Sequence, residues 1–177
     1  ALAKARQATP FKRPENGVFQ PGSGFTRFFF TETGDTQLLS TANNGFGGFG
    51  GVFYLSQRSP TANTGVLRLL YAGDAQHTGL DNIQFATAQQ LLVVEDAGDT
   101  VHGQRNALDS GYVLDLRVNY GQTGAPAPVR FLAEGRDASA TLDAGLSGVT
   151  GFQNEGDNEI TGIHVSDVDP TVRGLLG

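Results

Sequence analysis

The stretch Leu91-Leu92-Val93-Val94-Glu95-Asp96-Ala97-Gly98-Asp99 carries the sharpest chemical signal in the chain. Four apolar residues make a buried strand, and three carboxylates arrive as it ends. Carboxylates at the end of a rigid strand suit Ca2+, which takes about 6–8 oxygen ligands. A solvated acidic turn is the commoner fate of such a cluster. Asp81-Asn82, about one hairpin upstream of Glu95, adds two hard oxygen donors, although an Asp-Asn pair is also an ordinary turn element.

The densest donor cluster is Asn154-Glu155-Gly156-Asp157-Asn158-Glu159, which leads into Ile160-Thr161-Gly162. It lacks the alternating acidic pattern and closing Glu of an EF-hand, so a hydrated loop is its ordinary reading. Ser166-Asp167-Val168-Asp169 has the same ambiguity. Residues 43–51, Asn43-Asn44-Gly45-Phe46-Gly47-Gly48-Phe49-Gly50-Gly51, could cradle a phosphate through backbone N–H groups. They lack the Gly-Lys-Ser/Thr ending of a Walker loop, and glycines that permit a bulge, with both phenylalanines in the core, are the plainer reading. Lys12 and Arg13 beside Glu15 could hold an anion, as surface charges do in general. His77, His102 and His164 are scattered, and no Gly-x-Ser-x-Gly elbow occurs, so a serine hydrolase of that type is unsupported.

The elements that must position these groups are short strands. The 177 residues include 25 glycines, and the apolar runs are brief and rich in Val, Leu, Phe and Tyr. That mixture predicts an all-β domain with many strands and tight or irregular loops. Residues 1–24 read as loop-like, because Pro10, Pro14 and Pro21 with Gly17, Gly22 and Gly24 oppose a helix or a central strand. Strands are predicted at 25–32, 52–55, 66–71, 83–85, 91–94, 112–116, 129–132 and 160–165, with 52–55 and 66–71 forming a hairpin and 112–116 pairing with 129–132. Only residues 104–110 and 137–146 could carry a helical turn.

Strand after strand without long helices excludes a doubly wound sheet. Sequential four-stranded propeller blades fit the order, about two or three at roughly 40–45 residues each, and a β-sandwich is the rival. An incomplete ring would expose β edges and need further blades for stability.

A net charge of −6 opposes a phosphate-backbone binder, so no nucleic-acid partner is expected. No apolar run reaches the roughly 20 residues of a membrane span. The chain has no Cys, which excludes disulfides and thiolate ligands within it. It also has no Met, and its first residues, Ala1-Leu2-Ala3, and last, Leu175-Leu176-Gly177, read as those of a processed or cut portion of something longer.

Taken in order, Arg13-Pro14-Glu15-Asn16-Gly17, Gly50-Gly51-Val52-Phe53-Tyr54-Leu55, Asp81-Asn82-Ile83, Leu92-Val93-Val94-Glu95-Asp96 and Glu159-Ile160-Thr161-Gly162 with Ser166-Asp167 resemble the PhoX family of calcium-dependent alkaline phosphatases. The resemblance runs from about residue 11 to the end and rests on the ordered set, since each motif is short. It implies part of a six-bladed propeller, exported to the periplasm or secreted, that hydrolyses phosphate monoesters with Ca2+ and Fe3+. Carried over, it makes Glu15 and Glu159 metal ligands, with Asp81, Asn82 and Glu95 as calcium ligands or supporting groups. The remaining blades would come from a companion chain or an uncut parent.

Two departures stand against it: the family site draws on a cysteine that this chain lacks, and Ser166-Asp167-Val168 stands where relatives tend to have Ser-Asp-Gly. A non-catalytic propeller that binds calcium or a protein partner is therefore the alternative, with a lactonase-like hydrolase holding one central calcium as a third reading.

Overall fold

A computed structural model describes residues 2–34, 48–96, 109–134, 160 and 162–166. After a single helical turn, α1 (Leu2–Ala5), every regular element among the described residues is a strand: β1 (Pro14–Phe19), β2 (Arg27–Glu32), β3 (Gly51–Ser56), β4 (Val66–Ala72), β5 (Leu80–Thr87), β6 (Gln90–Glu95), β7 (Asp109–Asp115) and β8 (Val129–Glu134). They form two four-stranded antiparallel sheets in the orders β1-β2-β3-β4 and β5-β6-β7-β8. The all-β expectation holds, as do the predicted β3–β4 and β7–β8 pairings. Neither sheet closes on itself among the described residues. No helix among them is long and apolar enough to cross a membrane.

The strands follow from side-chain alternation. In β2, Phe29 and Thr31 face the second sheet and are fully buried, while Phe28 and Phe30 lie on the opposite face. Phe29 sits at the centre of the core, edge-on to Phe85 at 5.2 Å and stacked on Tyr54 at 5.1 Å. Val52, Leu80, Ile83, Leu91, Val93 and Leu114 fill the space around it. Hydrogen bonds lace the two sheets together: Thr31 Oγ1 donates to the Asp81 carbonyl, Thr33 Oγ1 to the Leu80 carbonyl at 3.4 Å, and Gln20 Nε2 to the Ala88 carbonyl at 2.6 Å. These bonds join β1, β2 and their flanking loops to β5.

The loop expected over residues 1–24 is corrected in two places, at α1 and at β1. Pro14 is tolerated in β1 because it starts an edge strand, where a missing N–H leaves no ladder bond unmade. Gly17 serves packing: a Cβ there would lie 2.3 Å from Phe28 Cζ, so the Phe28 ring covers the glycine backbone. Two other expectations also change. Asp109 and Ser110 begin β7 and belong to no helical turn, and residues 160 and 162–166 have no strand pairing. Residues 104–108 and 137–146 lie outside the described residues.

The outward face of the first sheet is strongly aromatic. Phe11, Phe28, Phe30 and Phe53 pack on one another at 5.1–6.2 Å. Phe19, Phe25, Leu67 and Leu69 extend this face into solvent. The second sheet has its own exposed apolar residues on β8, at Val129, Phe131 and Leu132. Apolar residues therefore stand on the outside of this pair of sheets as well as between them.

Candidate functional site

The first strands of the two sheets, β1 and β5, run close together and bring distant carboxylates into one neighbourhood. Glu15 follows Arg13 and Pro14 at the start of β1, and its Oε1 lies 3.6 Å from Arg13 Nε. Arg13 adopts φ 57°, a left-handed conformation that turns the chain just before the strand begins. Asp81 stands at the second position of β5, half-buried, and its Oδ1 accepts a hydrogen bond from Asn82 Nδ2 at 2.7 Å. Asp96, immediately after β6, is hydrogen-bonded to Asp81 through its side chain.

Burial, the negative charges of Asp96 and Glu15, and the bond to Asp96 together push the Asp81 carboxyl up to about 6, with Arg13 acting in the opposite direction. Crowded, half-buried carboxylates hold on to a proton or a cation. Hard oxygen donors of this kind suit Ca2+. Among the described residues, however, no group of three or more acidic, His or Cys side chains is arranged to hold a metal ion. Asp81, Asn82 and Asp96 form the close core, and Glu15 acts on it from beside Arg13.

Glu95 goes elsewhere. Leu91, Val93 and Glu95 share the face of β6 that looks into the core, and Glu95 is fully buried there. Its Oε1 accepts the Thr78 N–H at 3.0 Å and its Oε2 accepts the Ser110 N–H at 3.0 Å. The carboxylate thus clamps the β4–β5 connection and the start of β7 to the end of β6. Side-chain alternation turns Asp96 to the opposite face, toward Asp81. The register supports this: Leu80 pairs with Glu95, so Asp81 and Asp96 are diagonal neighbours on one face. Asp96 is one of the three carboxylates that the sequence places after this strand, but the resemblance carries Glu95, and not Asp96, into the metal site. The parity of Leu91 and Val93 was the signal that could have found it.

Glu159, the rest of the 154–159 cluster, Asp99, Asp167, Asp169 and His102 lie outside the described residues. His77 Nδ1 lies 3.0 Å from Asp74 Oδ1 in the β4–β5 connection, and its ring packs on Tyr71 and Tyr112. In the glycine-rich segment, Gly50 and Gly51 lead into β3 and Phe49 is half-buried, whereas Phe46 is outside the described residues. Family models, curated proteins and solved structures yield no match to this chain.

The raised Asp81 carboxyl gives a pH signature. An acid whose folded pKa lies above its ordinary 3.8 binds more protons in the native state, so stability falls as pH rises from about 4 to about 6 and stays low above that. Asp81→Asn removes this liability, and its amide can donate to Asp96. In metal-free buffer at pH 7.5 the variant is expected to melt roughly 2 °C or more above the parent. At pH 4 the gap should close. Thermal unfolding at the two pH values checks this, and a variant that melts lower at pH 7.5 would exclude carboxylate crowding at this position.

Proposed function

We propose that this chain forms part of a PhoX-like, metal-dependent phosphatase acting on phosphate monoesters outside the cytoplasm. The observation that carries the reading is the meeting of Glu15 on β1 with Asp81 on β5 and Asp96 after β6. These groups come from the first strands of two consecutive antiparallel meanders. In a propeller the first strand of each blade lines the central channel, so carboxylates placed there would face the ring axis. The order of strands within each sheet, and apolar residues outside the pair as well as within it, are consistent with two blades flanked by others.

In this reading Asp81, Asn82, Asp96 and Glu15 are the groups available to hold Ca2+ or Fe3+, and their hard oxygens fit such ions. Glu159 would join them by resemblance. Bound cations would supply Lewis-acid polarisation of a phosphoryl oxygen. The chain's own residues do the rest. The Glu95 clamp fixes the end of β6 and so the start of Asp96, Asn82 orients the Asp81 carboxylate, and Arg13 pairs with Glu15 at 3.6 Å and directs it.

The test is metal content by elemental analysis of the native particle, together with hydrolysis of p-nitrophenyl phosphate. The expected result is calcium and iron in fixed ratio, lost with chelator along with turnover, and at least about a tenfold drop in turnover for Glu15→Gln. A particle that retains no metal and hydrolyses no phosphate ester would sink the enzymatic reading.

The second reading, a non-catalytic propeller subunit that binds calcium or a protein partner, is favoured by the exposed Phe19, Phe25 and Leu69 on the outward face of the first sheet. It predicts calcium without iron, or neither, and a stable complex with companion chains.

A further inference from the structure

At the opposite side of the sheet pair from the carboxylates, β3 and β4 and the turn after β7 enclose a cleft of about 340 Å³. Its β4 wall lies three strand spacings from β1, on the order of 14 Å across the first sheet, and its β3 wall two. Its volume falls at the low end of the roughly 300–1,000 Å³ of small-molecule sites. Its polar lining is Arg68, Arg117, Asn119 and Tyr120, and its apolar walls include Tyr54 and Leu70. No carboxylate lines it among the described residues, although the chain as a whole carries a net charge of −6.

The hydrogen-bonding inventory of this lining is one-sided. The Arg68 side chain is exposed and makes no hydrogen bond or ion pair with any described residue. Arg117 spends Nε and Nη2 on the Asp115 carboxylate at 2.5–3.2 Å, which leaves its Nη1 amino group to donate. That pairing also holds the Asp115 carboxyl down to about 2, through hydrogen bonds to the Arg117 side chain and backbone, so Asp115 stays ionised. Tyr120 Oη accepts the Asp115 N–H at 2.9 Å, so its own hydroxyl proton remains to be donated. Burial raises the Tyr120 pKa and keeps that proton in place. Asn119 Oδ1 accepts the Gly121 N–H at 3.2 Å, which leaves the Asn119 amide N–H groups as donors. Within the turn the Asp115 carbonyl also accepts the Val118 N–H at 3.0 Å and the Asn119 carbonyl the Gln122 N–H at 3.1 Å, so the residues that line the cleft keep donors to spare.

We propose that this cleft binds a small organic oxyanion, its charged head between Arg68 and Arg117 and its apolar body against Tyr54 and Leu70. Guanidinium groups suit phosphate and carboxylate heads alike. This site is separate from the carboxylate cluster and does not depend on the phosphatase reading.

Phenyl phosphate, benzoate and benzylamine, titrated into the isotopically labelled chain and followed by amide NMR, provide the test. Saturable shifts confined to residues around 54, 68–70 and 116–120 are expected for phenyl phosphate at a Kd on the order of 1 mM or tighter. Benzoate binding as well as phenyl phosphate would make the head group a generic oxyanion, and weaker benzoate binding would make it a phosphate; either result supports the site. Benzylamine should not bind. Arg68→Gln, a change on an exposed strand position that should not disturb folding, should weaken phenyl phosphate at least about tenfold. The proposal falls if phenyl phosphate fails to saturate below roughly 10 mM, if benzylamine binds equally well, or if Arg68→Gln keeps the parent affinity. It also falls if Asp81→Asn abolishes binding, because the anion would then sit with the carboxylate cluster.

Discussion

Glu95→Ala is expected to remove about 3–5 kcal/mol of folding stability, the cost of leaving two buried main-chain donors without acceptors and a void where the side chain stood. The two donors are the Thr78 and Ser110 N–H groups, each 3.0 Å from its own Glu95 oxygen. Thr78 and Ser110 are themselves buried, so water does not replace the lost carboxylate cheaply. Thr78 also donates through Oγ1 to the Phe49 carbonyl at 3.2 Å, so loosening it disturbs the approach to β3 in the other sheet. Against the roughly 5–15 kcal/mol that stabilises an ordinary domain, a loss of this size brings the variant close to unfolding at room temperature.

Glu95→Gln keeps the shape and one acceptor but turns an NH2 toward a main-chain N–H. It should lose less, about 1–2 kcal/mol. Urea unfolding of the three proteins measures the series. The loss should be the same with calcium and with chelator, because the carboxylate acts through protein N–H groups. A loss under about 1 kcal/mol for Glu95→Ala, or one that appears only when calcium is present, would return Glu95 to the role of a cation ligand.

This clamp shows where sequence reading reached its limit. The acidic end of β6 was legible as a place for chemistry, but two adjacent carboxylates point to opposite faces, and their roles divide by parity. Glu95 shares the parity of Leu91 and Val93 and goes inside; Asp96 does not and meets Asp81. The partner of each depends on register, here Leu80 opposite Glu95, which is set by pairing and leaves no local mark. The meeting of Glu15 with Asp81 is longer-ranged still, since it needs β1 and β5 from different sheets to lie together.

Strands with a buried alternating face were readable. Phe29 and Thr31 against Phe28 and Phe30 announce β2, and the hairpin of β3 with β4 follows from spacing. β1 was hidden because Pro14 and Gly17 are strand breakers in a central position and tolerable ones at an edge. Edge status is a property of the assembled sheet. Conversely, residues 160–165 carry strand-like side chains, yet the described part of that segment has no ladder partner, and propensity alone does not make a strand. The aromatic residues on the outward face of the first sheet were legible as hydrophobic, but their position outside the pair of sheets was not.

Gly50→Ala is expected to cost about 3 kcal/mol or more, for two reasons that add at one position. Gly50 has φ +76°, a conformation that costs an alanine roughly 1–2 kcal/mol before any contact is counted. A Cβ there would also lie 2.0 Å from the Glu32 carbonyl oxygen and 2.6 Å from that of Thr33. Both obstacles are backbone atoms at the end of β2, which cannot swing aside as a side chain can. Moving Gly50 instead would strain its carbonyl, which accepts the Gly73 N–H at 2.9 Å and ties the start of β3 to the end of β4. Gly124 separates the two contributions. It has φ +80° but nothing within 4 Å of the Cβ it would gain, so Gly124→Ala should cost only the conformational share, about 1–2 kcal/mol. Urea unfolding of both variants gives the difference as the cost of the close approach. Equal losses would mean that the β2–β3 junction yields to a methyl group, and the tight glycine-rich turn into β3 would then be a matter of conformation alone.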